Sequence, residues 1–202
     1  FDIGQKRDIV LVPVGLNYDR VLEDRILLKA SNHPEEHFEF SLLSAVGFLF
    51  RQIWLRLTGR FNRFGYASVS FGQPISMRTF MANSDIKSSD RRTVLLGRKV
   101  MDEVSKVVPV LPVPLVATAI KSANAPLQDA QIQELCADLL KKLKSSGAQV
   151  HVPVETQSYV IEHALETLLN RGALKRSKDG IVIDNSDGNL IDFYANSIIH
   201  LM

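Results

Sequence analysis

The chain has 202 residues, 46% hydrophobic and 23% charged, with a formal net charge of +2. This is ordinary globular composition, long enough for one good core or two small ones, and it excludes a disordered chain. So small a charge does not by itself argue for nucleic acid, whose binding needs concentrated basic surface. A single cysteine, Cys136, excludes an internal disulfide framework or a cysteine-rich metal site and suits a reducing compartment.

The first residue is Phe rather than Met, so the start reads as cut or processed and the chain as a fragment; a signal peptide cannot be tested for. The longest apolar stretch, residues 40–50, is about half of the roughly 20 residues that a spanning helix needs, so no membrane crossing is expected.

The first predicted element is extended. Residues 9–23 read IVLVPVGLNYDRVLE, an apolar run that stops in Gly15, Asn17 and the trio Tyr18, Asp19, Arg20. A strand buried on both faces that releases polar groups at its C-terminal end is how open α/β sheets build ligand sites, so this strand end is the first candidate site. Pro13 removes a ladder donor and points to an edge or bulged position. Gly15 allows a ligand or another backbone to come close, and Arg20 suits bidentate binding of a phosphate or of a pantetheine-linked phosphate. The plainer reading makes Asp19 and Arg20 a surface ion pair and Tyr18 a half-buried packing residue.

Residues 21–28 extend the strand or open a loop, and Asn32, His33 and Pro34 break the pattern. Residues 35–60 then read as a long helix, with Glu35 and Glu36 at its start and Arg56 and Arg60 near its end, complementing the helix dipole. Aromatic and aliphatic residues crowd it, and Arg51, Arg56, Arg60 and Arg63 follow with Trp54 and no acidic residue between them. That is the make-up of an element lying in the interface of an anionic membrane. A central core helix with a basic exposed end is the alternative, because apolar residues occupy nearly every face around residues 42–50.

Residues 66–71 alternate as a strand that Gly72, Gln73 and Pro74 terminate. A helix follows over residues 91–107, with Val94, Leu95, Arg98, Met101 and Val104 at helical spacing. Pro109, Pro112 and Pro114 mark an internal boundary, separating residues 1–108 from a smaller unit, 109–202. That unit holds amphipathic helices over residues 129–144 and 157–170, closed by Gly147 and Gly172, a short hairpin of residues 173–175 and 181–183, and a last helix over residues 190–201.

The phrase VPVGLNYDR, Val12 to Arg20, resembles the fourth conserved block of the glycerolipid acyltransferases: Ile or Val, Pro, Val, any residue, Ile or Leu, any residue, Tyr, Asp or Glu, Arg. RQIWLRLTGRFNRFGYASVSFGQPIS, residues 51–76, and the ending FYANSIIHLM are similar to the C-terminal part of the bacterial glycerol-3-phosphate acyltransferases. The resemblance implies an α/β fold, with a partial acyltransferase sheet and flanking helices in residues 1–108 and a mainly helical accessory unit with a small hairpin in residues 109–202. It implies that Pro13, Gly15, Tyr18, Asp19 and Arg20 shape the acyl-donor side of a pocket. It also implies that Trp54, Arg51, Arg56, Arg60 and Arg63 meet an anionic membrane surface, on the cytoplasmic face of the inner membrane as a peripheral protein. The implied partners are the upstream part of the same enzyme, glycerol 3-phosphate and an acyl-CoA or acyl-carrier-protein thioester as donor substrate, with no cofactor and no metal.

Catalysis in that family uses a His-x-x-x-x-Asp dyad, the histidine taking the proton from the glycerol hydroxyl. Here His33, His37, His151 and His163 are followed five residues later by Phe38, Leu42, Thr156 and Leu168, and His200 has no room for a fifth. The Glu-Gly block that binds the acceptor phosphate is missing too. Both lie upstream of the present block in the relatives, so no catalytic residue is expected in this chain, and the isolated chain is expected to be inactive.

The rival class is a nucleic-acid-binding or interaction module, since the C-terminal helices and hairpin suit a winged helix. Against nucleic acid, the second helix carries Glu155, Glu162 and Glu166 near or along its length, and Lys175, Arg176 and Lys178 in the wing are few. No phosphate loop and no nucleophile elbow is present. His151 and His163 lack metal-site spacing, and Cys136 reads as inert packing.

Overall fold

A computed structural model describes residues 7–21, 23–32, 65–83, 88–123, 125–184 and 189–202. In chain order these form β1 (Val10–Leu11), β2 (Val14–Tyr18), α1 (Asp24–Asn32), β3 (Ala67–Phe71), β4 (Ile75–Ser76), α2 (Met77–Ala82) and α3 (Ser89–Lys106). There follow α4 (Pro112–Ala123), α5 (Asp129–Ser145), α6 (Gln157–Asn170), β5 (Leu174–Ser177), β6 (Gly180–Ile183), α7 (Leu190–Asn196) and a 3-10 turn (Ile199–Leu201). The fold is thus mixed α and β. The long helix expected over residues 35–60 lies outside the described residues. Among the described residues no helix is long and apolar enough to cross a membrane.

The extended segment at the start breaks at Pro13, which has no N–H to give a ladder. β1 pairs antiparallel with β4, and β2 antiparallel with β3, Val14 opposite Phe71 and Tyr18 opposite Ala67. Pro13 still accepts a hydrogen bond from the Gly72 N–H at 2.8 Å, so the two short ladders join across the interruption. The expectation of a strand buried on both faces is corrected here. β2 alternates strictly, with Gly15 and Asn17 buried and Val14, Leu16 and Tyr18 exposed, because an antiparallel pair needs cover on one face only. Residues 21–28, read as strand or loop, instead enter α1 at Asp24.

The core lies in the second half of the chain and is built around a helix whose start the prolines disguise in the sequence. Pro112 and Pro114 occupy the first turn of α4, whose residues 112–120 are all buried. Proline fits there because first-turn N–H groups have no partner inside the helix. The accounting closes residue by residue: Pro112 and Pro114 carry no N–H, Leu115 donates to the Leu111 carbonyl at 3.0 Å, and Val113 donates to the carboxylate of Asp19 at 2.8 Å.

Around α4 pack α5, α6 and α7, the helices whose apolar stripes were legible as Ile132, Cys136, Leu140 and Leu143, and as Val160, Ile161, Ala164, Leu165 and Leu168. The β5–β6 hairpin closes this unit, and Leu127, just before α5, bridges to Ile181 of β6.

Candidate functional site

The alternation of β2 sorts the strand-end residues onto two sides. Pro13, Gly15, Asn17 and Asp19 point inward and are buried, whereas Tyr18 points outward and is 41% exposed; Arg20, just beyond, is half-buried. The sequence expectation grouped these side chains in one pocket, and the structure brings only the inward set together.

Asn17 and Asp19 are tied to the helical unit, and Gly15 packs against the end of α3. A Cβ on Gly15 would lie 2.3 Å from the Val107 carbonyl oxygen, so of the two partners expected for Gly15 the structure supplies a backbone, the end of α3. Asn17 Nδ2 donates to the Pro109 carbonyl at 2.8 Å and to Ser197 Oγ at 3.3 Å. Asp19 accepts from Val113 N through one oxygen at 2.8 Å and from Tyr66 N through the other at 2.9 Å, so it caps α4 and holds the start of β3 at once. Burial pushes its carboxyl above the ordinary range, against the lowering effect of those two bonds and of His163. The cavity beside it, lined by Asp19, Tyr66, Pro112, Tyr159 and His163 among others, has a volume of about 30 Å³, enough for about one water and too small for a substrate.

A second polar cluster went unnoticed in the sequence. Asp24, fully buried at the start of α1, lies 2.5 Å from a guanidinium nitrogen of Arg171 and accepts from Tyr194 Oη at 2.6 Å. Tyr194 Oη in turn accepts from Val21 N at 3.3 Å, and burial together with Asp24 raises the phenol pKa far above its usual range. Tyr194 lies in the terminal phrase already singled out, but its acceptor is 170 residues upstream, a pairing no local pattern exposes.

Elsewhere, Ser70 Oγ sits 3.3 Å from Nε2 of the exposed His151 and ties β3 to the segment before α6. An open groove of about 880 Å³ runs between β4, α2 and α3, lined by Ser76, Phe80, Arg98, Lys99 and Lys106 among others; Lys99 stands over the Phe80 ring and Lys106 pairs with Glu103. Cys136 is buried, its thiol pushed up to about 12 by loss of solvent. Among the described residues no group of three or more His, Cys, Asp or Glu side chains is placed to hold a metal ion. The wing cation Arg176 is bound to Asp129 and Glu166, which offsets its charge. Trp54, Arg51, Arg56, Arg60 and Arg63 lie outside the described residues.

What the fold presents is a strand end whose inward polar side chains anchor it to a helical unit. The chain belongs to the family described as the glycerol-3-phosphate acyltransferase C-terminal region, whose model matches residues 54–202. It is similar to the glycerol-3-phosphate acyltransferase of Pseudomonas fluorescens (strain Pf0-1), 26% identical over 98% of this chain and 25% of that protein. The enzymes of that name from Pseudomonas aeruginosa (strain LESB58) and Ectopseudomonas mendocina (strain ymp) are 26% and 27% identical over 97% and 96% of the chain, and 24% of each relative. The chain therefore spans about a quarter of the length of the curated relatives it matches.

Proposed function

We propose that these residues form the C-terminal part of a glycerol-3-phosphate O-acyltransferase, which transfers an acyl group from a thioester to glycerol 3-phosphate and so makes lysophosphatidate for phospholipid synthesis. The observation that carries the reading is the family match over residues 54–202, together with the acyltransferase-like block from Val12 to Arg20 in the part of the chain before it. In the reaction, a histidine supplied by the rest of the enzyme removes the glycerol hydroxyl proton, the oxygen attacks the thioester carbonyl, and the C–S bond breaks as the thiolate takes up the proton. This chain's contribution is positional. Tyr18 and Arg20 face the acyl-donor side, Arg20 as a phosphate ligand, while Pro13, Gly15 and Asp19 hold the strand that presents them.

The same reading divides the chain near residue 109, and what supports the division is that the principal hydrophobic cluster draws its buried members from Val110 onward. It also attaches the enzyme to the cytoplasmic face of the inner membrane through Trp54 and Arg51, Arg56, Arg60 and Arg63. The DNA-binding alternative loses support from the pairing of Arg176 with Asp129 and Glu166; the helix–hairpin order of the C-terminal unit favours instead a protein-docking role for it within the enzyme.

The test is the full-length reading frame. It should contain His-x-x-x-x-Asp upstream of residue 1, and the purified enzyme should convert labelled glycerol 3-phosphate and acyl-CoA, or acyl-carrier-protein thioester, to lysophosphatidate. Arg20→Ala should raise the donor KM by 10-fold or more, and replacing Trp54 with the four arginines should weaken flotation with anionic liposomes. A full-length frame without the dyad, or a donor KM untouched by Arg20→Ala, overturns the assignment.

A further inference from the structure

Helix α7 grips the strand end on both sides of the Tyr18, Asp19, Arg20 trio. Before the trio, the Asn17 side-chain amide donates to Ser197 Oγ at 3.3 Å; after it, Val21 N donates to Tyr194 Oη at 3.3 Å. Both gripping residues are themselves fixed. Ser197 Oγ donates to the Tyr194 carbonyl at 2.8 Å, and Tyr194, 2% exposed, donates its hydroxyl to the buried Asp24 carboxylate at 2.6 Å. The helix has little room to shift, since Leu190, Ile191, Tyr194 and Ala195 are buried in the hydrophobic cluster. Asp19 is held between the two grips by Val113 N and Tyr66 N, so positions 17, 19 and 21 are each tied, and Arg20 rides on a main chain pinned on either side. The β3 ladder ends with Tyr18 opposite Ala67 and one further bond from Asp19 N to the Tyr66 carbonyl. Past it, the bond from Val21 to Tyr194 continues the hold on the segment that carries Arg20.

From this we propose that Tyr194, with Ser197, is a positioning residue: α7 sets where Arg20 stands at the strand end, and through Arg20 it sets the affinity for the acyl donor. The inference rests on the role of Arg20 proposed above and adds to it two residues from the far end of the chain. A phosphate contact remote from the reacting carbonyl is made alike in the ground state and the transition state. Losing its alignment therefore raises the donor KM and leaves kcat alone. A merely structural role behaves differently, because loss of folded enzyme lowers apparent kcat with KM unchanged.

The experiment measures donor KM, acceptor KM and kcat of the full-length enzyme with acyl-CoA and glycerol 3-phosphate, for Tyr194→Phe, Ser197→Ala, Arg20→Ala and each α7 variant combined with Arg20→Ala. Ser197→Ala carries the test if Tyr194→Phe fails to fold, and Ile132→Val, which trims a fully buried side chain of α5, is the stability control. Tyr194→Phe should raise the donor KM about 5-fold and Ser197→Ala about 3-fold, with kcat and the acceptor KM held within about 2-fold. In the Arg20→Ala background each should add less than about 2-fold, because the side chain they position is gone. A donor KM that Arg20→Ala raises and the α7 variants do not overturns the inference and spares the function. A rise equally large without Arg20, a loss confined to kcat, or the same rise in Ile132→Val overturns the inference too. Hydrogen exchange of the same enzyme separates the two claims: the segment of residues 17–21 should exchange about 10-fold faster in Tyr194→Phe, with the β5–β6 hairpin unchanged. Faster exchange with a donor KM untouched by Arg20→Ala sinks the function and spares the positioning; equal exchange sinks the positioning.

Discussion

Asp24→Asn should be among the most damaging single substitutions in the chain. The Asp24 side chain is 1% and the Arg171 side chain 15% exposed, and together with Tyr194 they join the start of α1 to α6 and α7. Removing the carboxylate charge leaves a guanidinium mostly cut off from water, a loss of about 3–5 kcal/mol. At roughly 2–4 °C per kcal/mol for a chain of this size, the melting temperature should fall by about 6–20 °C. Tyr194→Phe removes one hydrogen bond to a charged acceptor and should cost about 1.5–3 kcal/mol. Because both changes dismantle one network, the double variant should cost less than their sum, by about 0.5–3 kcal/mol. Urea unfolding followed by circular dichroism measures all three. A loss below about 1 kcal/mol for Asp24→Asn, strictly additive with Tyr194→Phe, would refute the claim that this cluster joins the two ends of the chain.

Gly15→Ala, which drives a methyl against the Val107 carbonyl at 2.3 Å, should cost about 1–3 kcal/mol or more by the same unfolding measurement, since the obstructing atoms are backbone; a neutral result would mean that α3 does not pack there. For Asp19, burial raises the folded-state pKa above 3.8, so its contribution is fully present below that pH and lost as pH rises through the folded value. The stability of the parent relative to Asp19→Asn should therefore fall with rising pH above 3.8, and a difference that is flat or rises would contradict the burial argument. Cys136, its thiol near 12, should resist a disulfide-exchange reagent at pH 8 in the folded protein and react within minutes in denaturant; equal rates in the two states would place it at the surface.

The amphipathic helices α3, α5 and α6 were legible because 3.6-residue periodicity is written locally, and their ends fell within a residue or two of those expected. The β5–β6 hairpin was legible for the same reason, through Asp179 and Gly180 at its turn. What escaped depends on distant partners. Pro112 and Pro114 break chains in most settings; here they open a buried helix whose Val113 N–H is met by Asp19, just past a strand far upstream. The small sheet of β1 and β4 has strands of two residues, too short for any alternation to register. The strand-end trio was found by its motif, yet the motif could not tell which side chains look inward, because that follows from the ladder's partner.

A helix whose opening amide is satisfied by a residue 94 positions earlier gains its cap only when that residue is in place, a contribution of about 0.5–2 kcal/mol. During synthesis β2 leaves the ribosome long before α4 exists, and the Val113 N–H lacks its carboxylate partner until Asp19, just past that strand, is seated beside it. That contact has a high sequence separation, so its loop-closure cost falls on the docking of the strand and not on the packing of α4 against the helices that follow it.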